Sequence, residues 1–230
     1  MVNSTLNVRK QIPNRIIPEY SKSNLNPNTW TDTFHRTQSN RNDDIDTPSP
    51  AKQPVFVIYH QNIQGLKGKT NEIILSLISC VPNIICLTEH HLLNNEIDTA
   101  WLPNYKLAAN YTRNSLKCGG VCIFIRDNIK FSKVDTLHYC KDRDLEIAAI
   151  KLKLEKTKVI VFCLYTAPAG NFDYFINRLD DLLHSLYSPK LKFIICGDFN
   201  INFSVMSSRK SEIEQLLLIY NLIGTVQFPT

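Results

Sequence analysis

The sequence predicts a domain in which strands and helices alternate along the chain. Short apolar runs rich in β-branched residues, such as residues 193–196, indicate buried strands. Segments with apolar residues three and four positions apart, such as residues 73–81, indicate amphipathic helices between the strands. Polar residues directly follow several of the strands. Alternation alone therefore favours an open, parallel sheet with a functional rim at one edge.

The composition is that of a globular, mildly basic protein. The chain has 230 residues, of which 43% are hydrophobic, and this is enough to form one sizeable core. The formal net charge of +5 fits an anionic partner such as nucleic acid. The seven cysteines are odd in number and lie mostly within apolar runs, which indicates reduced, packed thiols rather than a disulfide framework.

One alternative for the cysteines is a zinc site made of Cys118, Cys122, His138 and Cys140. The two glycines at 119–120 lead into the apolar run 121–125, however, and this pattern indicates the start of a strand. We therefore expect these cysteines to pack in the protein rather than to bind zinc.

The first 52 residues differ in composition from the rest of the chain. Only thirteen of them are apolar, and Asn, Ser, Thr, Pro and scattered charges dominate the remainder. Such a segment cannot bury enough apolar surface to offset the entropy of ordering it. We therefore predict a disordered polar arm over residues 1–52 and a folded domain over 53–230. No apolar run approaches the ~18 residues of a membrane span, so we expect an intracellular protein without a membrane partner.

The first half of the predicted domain has three strands and one helix. A strand over residues 55–59 is followed by the polar residues 60–62. A helix begins near Thr70 and ends before Pro82, because its apolar residues repeat with helical spacing up to that proline. Residues 84–87 and 121–125 are the next two apolar runs and are predicted to be strands.

The second half of the predicted domain continues the same pattern. Residues 145–154 and 159–164 are predicted strands joined by a turn at 155–158, and Asn171 is placed to cap the helix that follows. After the strand 193–196, Gly197 is expected to let the backbone turn sharply. A further helix begins near Ser208, although the spacing of Ser211 and Glu214 also fits a capping box. A last strand is expected to end within residues 225–230.

Four strand ends carry the polar side chains that could perform chemistry. The candidate site residues are Asn62, Glu89, Tyr165, Asp198 and Asn200. Each also has a purely structural interpretation: the two asparagines and Asp198 could hydrogen-bond their own turns, Glu89 could be a surface charge, and Tyr165 could belong to the core. Their repeated position after strands favours a shared site at one rim.

Five segments that contain these residues resemble the motifs of the endonuclease/exonuclease/phosphatase superfamily, which has the deoxyribonuclease I-like fold. The segments are residues 60–66 (HQNIQGL), 87–92 (LTEHHL), 118–121 (CGGV), 165–172 (YTAPAGNF) and 197–200 (GDFN). Their order and spacing are most similar to the apurinic-type endonuclease domain of insect retrotransposons that lack long terminal repeats. The similarity covers residues 55–230.

The resemblance implies an α+β fold, namely a two-sheet β-sandwich flanked by helices in four α/β/β/α layers, instead of an open sheet. It also implies hydrolysis of DNA phosphodiester bonds with Mg²⁺ or Mn²⁺, because hard oxygen ligands suit these cations. Glu89 would hold the metal together with Asn62, which would also contact the substrate, and Asp198 would orient or deprotonate the attacking water. Asn200 would hold the scissile phosphate, and Tyr165 would donate a hydrogen bond to it.

The similarity ends at Pro229 and Thr230. In the family, the next motifs, a Ser-x-x-Asp segment and a terminal Ser-Asp-His, follow downstream of the position at which this similarity ends. We therefore expect a truncated copy that lacks its last strands and shows little or no cleavage, and whether it is an enzyme stays open.

Two other functions remain open on the sequence. A phosphatase or phosphodiesterase of the same superfamily would act on a small molecule or a lipid, and a non-catalytic remnant would at most bind nucleic acid weakly. The sequence indicates no obligate protein partner. A nuclear location would follow from a DNA substrate.

Overall fold

The computed structural model describes residues 8–10, 56–77, 81–114, 118–154 and 157–225. The predicted polar arm therefore lies outside the described residues, except for the strand Val8–Lys10. Disorder in the rest of the arm and the domain boundary at residue 53 stay predictions. Among the described residues, no helix is long and apolar enough to cross a membrane.

Ten strands and four α-helices make up the described part of the chain. The strands are β1 (Val8–Lys10), β2 (Ile58–Asn62), β3 (Ile84–Thr88), β4 (Tyr105–Tyr111), β5 (Val121–Arg126), β6 (Phe131–Lys133), β7 (Glu146–Leu154), β8 (Thr157–Tyr165), β9 (Leu191–Asp198) and β10 (Leu222–Gly224). The helices are α1 (Thr70–Leu77), α2 (Asn94–Ile97), α3 (Phe172–Leu186) and α4 (Ser208–Ile219).

The strands form two sheets. One has six strands in the order β10-β1-β9-β8-β7-β6, and the other has four in the order β2-β3-β5-β4. Only β2–β3 and β8–β9 pair in parallel among the described strands, and each of these pairs is connected through a helix, α1 or α3. The other strand pairs are antiparallel.

The open parallel sheet favoured by alternation alone is therefore wrong, and the two-sheet sandwich implied by the resemblance is confirmed. The reason is that a parallel crossover usually contains an α-helix, and among the described strands that both pair and follow each other in sequence, only β2–β3 and β8–β9 are joined through one. Shorter connections, such as those between β4 and β5 and between β7 and β8, produce antiparallel neighbours.

Three apolar clusters separate the four layers. The first lies between the six-stranded sheet and helices α3 and α4 and contains Phe162, Phe175 and Phe193. The second lies between the two sheets. The third lies between the four-stranded sheet and helices α1 and α2 and contains Ile73 and Ile97. Alternate residues of the central strands β7 and β8 thus pack in different clusters, because successive side chains of a strand point to opposite faces.

The predicted long helices are confirmed with modest shifts. Asn171 caps α3, since its side chain accepts a hydrogen bond from the backbone N–H of Tyr174 at 2.9 Å. Helix α4 begins at Ser208 with Ser207 as its cap, so the alternative start at Ser211 is wrong. Helix α1 begins at Thr70 as predicted, and its described part ends at Leu77.

Other predictions need correction. Strand β2 includes residues 60–62, which were expected to follow the strand, because they pair in parallel with residues 86–88 of β3. Gly197 lies inside β9 and does not turn the chain; the left-handed residue is Asn200, with φ of 49°. Strands β1, β4 and β6 and helix α2 were not predicted, and β1 lies in the segment that was expected to be disordered. Of the expected last strand only Leu222–Gly224 is described as β10.

The described cysteines are free thiols. Four of the six, Cys86, Cys122, Cys163 and Cys196, are buried, as expected for packed thiols in apolar runs. Strand β5, which contains Cys122, begins directly after the glycine pair at 119–120, so this pair does lead into a strand.

Candidate active site

The parallel pair β2–β3 places Asn62 beside Glu89. Asn62 is the last residue of β2 and lies opposite Thr88, the last residue of β3, so Glu89 follows at the same end of the sheet. The loops after the two strands are joined by the Gly65 N–H, which donates to the Glu89 carbonyl at 2.7 Å. Glu89 has a left-handed backbone, with φ of 56°. A non-glycine residue rarely adopts this conformation unless its surroundings hold it there.

The parallel pair β8–β9 places Tyr165 beside Asp198 in the same way. The two residues are opposite each other in the register, so their side chains lie on the same face. The Asn200 N–H donates to Oδ1 of Asp198 at 3.0 Å, and the Asn200 carboxamide donates to the Thr166 carbonyl at 2.7 Å. The segment that follows β9 is thus hydrogen-bonded to the segment that follows β8.

Asn62 joins the ends of the two sheets. Its Nδ2 donates to Oε1 of Glu89 and to Oδ2 of Asp198, each at 2.8 Å. Two oxygens that share one nitrogen at this distance are at most about 6 Å apart, so the two carboxylates lie in one cleft. The interpretation in which Asp198 only hydrogen-bonds its own turn accounts for one of its oxygens, since Oδ1 accepts from the Asn200 N–H. The other oxygen, Oδ2, accepts from Asn62 of the opposite sheet.

The Asn62 contacts also limit what this residue can do. A carboxamide has two N–H donors, and both are used here by carboxylates. Its Oδ1 accepts a hydrogen bond from the Gln64 N–H at 3.2 Å but keeps a second lone pair. Asn62 can therefore offer a cation its carbonyl oxygen, whereas it has no N–H free to bind a phosphate in this arrangement.

Burial sets the protonation behaviour of Asp198 and Tyr165. Asp198 is fully buried, and this burial raises the pKa of its carboxyl despite hydrogen bonds from Asn200 and Asn62 that lower it. Burial also raises the pKa of the Tyr165 phenol, and the carboxylates of Glu89, Glu146 and Asp198 raise it further. Asp198 is thus suited to accept a proton, and Tyr165 stays protonated and can donate a hydrogen bond.

Several residues around the cleft were not singled out as site residues. Nε2 of His91 lies 3.2 Å from Oε2 of Glu89. Beneath Tyr165, Nε of Arg113 donates to Oε1 of Glu146 at 2.6 Å, and both side chains are buried. Glu146 carried a signal that could have identified it, because a carboxylate within the apolar run 145–150 needs a partner. Arg113 had no such signal.

The glycine pair at 119–120 is explained by these neighbours. Both glycines have left-handed backbones, with φ of 77° and 83°. A Cβ on Gly119 would overlap the guanidinium of Arg113, and a Cβ on Gly120 would overlap the ring of His90. The pair is therefore required for close packing beneath the cleft as well as for the turn into β5.

The donor atoms of the cleft fit a hard divalent cation. Within the described ranges, no group of three or more His, Cys, Asp or Glu is arranged to hold a metal ion. Magnesium needs no such group, since it is usually held by one or two carboxylates with waters and substrate phosphates as its other ligands. The half-buried carboxylate of Glu89, the Asn62 carbonyl and the nearby Asp198 provide an all-oxygen set of this kind.

Comparisons with known proteins identify the family. The sequence profile of the Endonuclease/Exonuclease/phosphatase family matches residues 59–228. No curated protein matches the chain in sequence.

Solved structures resemble the chain at low sequence identity. The endonuclease domain of TRAS1, a telomere-specific non-LTR retrotransposon, is 12% identical over 72% of this chain and 70% of that one, with a TM-score of 0.55. An AP endonuclease from Archaeoglobus fulgidus is 16% identical over 72% and 71%, with a TM-score of 0.51. The mannosyl-6-phosphatase Bt3783 of Bacteroides thetaiotaomicron is 14% identical over 70% of each chain, with a TM-score of 0.50. At these identities the likeness shows the fold alone.

Proposed function

The chain belongs to the endonuclease/exonuclease/phosphatase family of metal-dependent nucleases and phosphatases, and we propose that its cleft hydrolyses phosphodiester bonds of DNA. The observation that carries the proposal is the Asn62 carboxamide, which holds Glu89 and Asp198 in one cleft through two hydrogen bonds of 2.8 Å. A divalent metal in this cleft, Mg²⁺ or Mn²⁺, would neutralise charge on the phosphate and polarise its P–O bonds.

Each residue of the cleft has a role that its contacts allow. Glu89 would hold the metal, with the Asn62 carbonyl as a further oxygen ligand, and the metal would supply Lewis-acid stabilisation of the phosphate. Asp198 orients the attacking water and accepts its proton, since burial raises the pKa of its carboxyl.

The phosphate is bound from the opposite side of the cleft. One N–H of the Asn200 carboxamide is donated to the Thr166 carbonyl, so the other is free to donate to a phosphate oxygen. The hydroxyl of Tyr165 donates a second hydrogen bond, and because the phenol stays protonated it can do so throughout the neutral pH range.

DNA is the substrate that the remaining observations favour. The net charge of +5 suits a polyanion, and the order of the five motifs resembles that of retrotransposon endonucleases. A nuclear location follows from this substrate. The competing substrate is a small phosphate ester, whose hydrolysis would need only the same cleft.

The test is nicking of supercoiled plasmid DNA in the presence and absence of Mg²⁺ or Mn²⁺. The protein is used in excess over the plasmid, and single-turnover rates are measured. The chain should nick only with metal. Glu89→Gln and Asp198→Asn should each slow nicking by about 100-fold or more, because each removes a group that acts in the transition state.

The control variant is Asp181→Asn, which removes a carboxylate that pairs with Arg178 on α3. It should nick like the native chain. The small substrates p-nitrophenyl phosphate and bis-p-nitrophenyl phosphate separate a phosphatase from a diesterase. Metal-dependent hydrolysis of the monoester without nicking would contradict a DNA endonuclease, and no metal-dependent hydrolysis of any substrate would contradict the proposed reaction.

A further inference from the structure

A buried ion pair lies beneath the cleft and takes no direct part in the proposed chemistry. Nε of Arg113 donates to Oε1 of Glu146 at 2.6 Å, and the two side chains are 5% and 0% exposed. Removing two charges from water is costly, and an apolar pair of similar volume is often at least as stable. The ion pair is therefore better explained by what it positions than by the stability it provides.

Glu146 is fully occupied by its neighbours. Besides Arg113, its carboxylate accepts hydrogen bonds from the Gly120 N–H at 2.5 Å and from the Arg143 N–H at 2.9 Å. Burial raises the pKa of this carboxyl, whereas Arg113 and the two N–H groups lower it. A carboxylate with these donors is an anchor for Arg113, and it joins β7 of one sheet to the start of β5 in the other.

Arg113 and Glu146 both lie against Tyr165. Glu146 is opposite Tyr165 in the β7–β8 register, so the two side chains are neighbours on one face. The Arg113 Cζ lies 5.9 Å from the centre of the Tyr165 ring, within the range of a cation–π contact. The guanidinium also packs against Gly119, where a Cβ would overlap it.

The guanidinium contacts Glu146 through two of its nitrogens. Besides the hydrogen bond from Nε, its Nη2 lies 2.5 Å from Oε1 of Glu146 as an ion pair. The orientation of the guanidinium is thus set by these two contacts, by Gly119 and by the Tyr165 ring. A planar cation fits this slot, and a flexible ammonium would not.

We propose that Arg113, held by Glu146, is a positioning residue that fixes the ring of Tyr165 so that its hydroxyl faces the scissile phosphate. This inference rests on the proposed function and adds a residue to it. Without the guanidinium, the ring loses a packing partner. The phenol can then tilt, and its hydrogen bond to the phosphate is lengthened or lost.

Single-turnover nicking rates of four variants test this role. They are Arg113→Met, Arg113→Lys, Tyr165→Phe, and Arg113→Met combined with Tyr165→Phe. Arg113→Met should slow nicking on the order of 10- to 100-fold, the size of effect that a misplaced group produces. The DNA concentration at half-maximal rate should not change. In the Tyr165→Phe background, Arg113→Met should cause no further loss of rate, because the hydroxyl that it positions is already absent.

Thermal unfolding separates positioning from a general structural role. Any loss of stability from Arg113→Met should be the same in both backgrounds, while the loss of rate should appear only when the Tyr165 hydroxyl is present. Arg113→Lys keeps the charge without the planar group and should recover little of the rate. A native rate in Arg113→Met, or a loss of rate of equal size in both backgrounds, would overturn the proposal.

Arg178→Met is the matched control. Arg178 also pairs with a carboxylate and lies over tyrosine rings, those of Tyr139 and Tyr174, but on α3. It should nick at the native rate. If Arg113→Met alone does not fold, the pair Arg113→Met with Glu146→Gln leaves no buried charge unpartnered and takes its place, with the same expected result.

A measurement without substrate keeps this inference distinct from the proposed function. In protein labelled with 3-fluorotyrosine, the ¹⁹F signal of Tyr165 is the one missing from Tyr165→Phe. It should shift or broaden in Arg113→Met and stay unchanged in Arg178→Met. If the native chain hydrolyses nothing, the proposed function fails and this spectrum alone decides the positioning. An unchanged Tyr165 signal in Arg113→Met would overturn it.

Discussion

At the residue scale, the Asn62 carboxamide keeps two carboxylates close together. Glu89 and Asp198 would repel each other at this separation, and the N–H donors between them reduce that repulsion. A cation placed between the carboxylates would do the same more strongly. The arrangement therefore resembles a metal site in which an amide supplies part of the positive charge.

Asn62→Ala tests this relation. It should lower the free energy of unfolding by about 1–3 kcal/mol without metal, because buried Asp198 loses a donor. Added Mg²⁺ should restore more stability to this variant than it adds to the native chain. Urea unfolding with and without Mg²⁺ measures both effects. The control is Asn94→Ala, which removes an exposed hydrogen bond from the Asn94 carboxamide to that of Asn114. An equal response of both variants to Mg²⁺ would contradict the relation.

Gly197 illustrates a second constraint on single residues. It lies inside β9, where a Cβ would overlap the backbone carbonyl of Leu164 on the neighbouring strand. Because this neighbour is backbone, it cannot move aside without disturbing the β8–β9 ladder that places Tyr165 beside Asp198.

Gly197→Ala should therefore lower the free energy of unfolding by about 3 kcal/mol, the upper part of the range for overpacked sites. Gly68→Ala is the matched control, since Gly68 has a φ of 81° but open space within 4 Å of the position that an added methyl group would take. It should cost no more than about 2 kcal/mol, from backbone strain alone. Urea unfolding of both variants gives the comparison, and an equal or smaller cost for Gly197→Ala would show that the close approach is unimportant.

The sequence revealed only part of the site at this scale. Asp198 and Asn200 were found because they follow a recognisable buried strand, and Glu89 for the same reason. Arg113 could not be found this way, since its burial depends on contact with Glu146, 33 positions away. The sequence predicted a turn at Gly197, whereas the glycine is required by the close approach of β8. The sequence of β9 alone does not indicate how closely a neighbouring strand approaches it.

At the scale of elements, the segment that follows Tyr165 is held by the loop before β7. The Ala167 N–H donates to the Arg143 carbonyl at 2.7 Å, and the Asn171 N–H donates to Oδ1 of Asp144 at 2.8 Å. Arg143 adopts a left-handed backbone to make these contacts, with φ of 73°. The start of α3 and the end of β8 are thus fixed relative to the cleft by one short loop.

Asp144→Asn tests the contribution of this loop and its dependence on pH. Burial raises the pKa of Asp144, but hydrogen bonds from Lys141 and Asn171 outweigh it and hold the pKa below its ordinary value of 3.8. A carboxyl with a lowered pKa stabilises the fold above its ordinary pKa, and this contribution is lost as the pH falls through the folded-state pKa. The variant should thus be less stable by about 1–2 kcal/mol at neutral pH and should approach the native chain in strong acid.

Urea unfolding across that pH range measures the difference. Asp181→Asn, whose carboxylate pairs with Arg178 at the surface, is the comparison and should change stability little at any pH. A difference between Asp144→Asn and the native chain that stays constant with pH would show that the charge of Asp144 is not the cause.

Helices and strands were predictable where a segment buries a continuous apolar face, because the spacing of its apolar residues then shows in the sequence. Helix α3 was found with its cap, because its apolar residues repeat with helical spacing after Asn171. Strand β4 was not found, since its sequence includes Lys106 and Asn110 and is only partly buried. Strand β6 has three residues, too few for periodicity to show.

At the scale of the whole molecule, the fold brings the ends of two separate βαβ units to one cleft. One unit, β2–α1–β3, supplies Asn62 and Glu89, and the other, β8–α3–β9, supplies Tyr165 and Asp198. Packing of the two sheets face to face aligns these ends. The periodicity of the sequence identified both units but favoured a single open sheet. The sequence within either unit does not indicate that the two units belong to different sheets that pack face to face. The order of motifs was what indicated the sandwich.

The central claim is that this cleft is one metal-binding centre built from both sheets. Paramagnetic broadening by Mn²⁺ in the ¹H–¹⁵N spectrum tests it most directly. Substoichiometric Mn²⁺ should broaden the signals of Asn62, Glu89 and Asp198 together, and Glu89→Gln should abolish the effect while Asp181→Asn preserves it. Broadening confined to one sheet, located elsewhere on the protein, or unchanged in Glu89→Gln would contradict the claim.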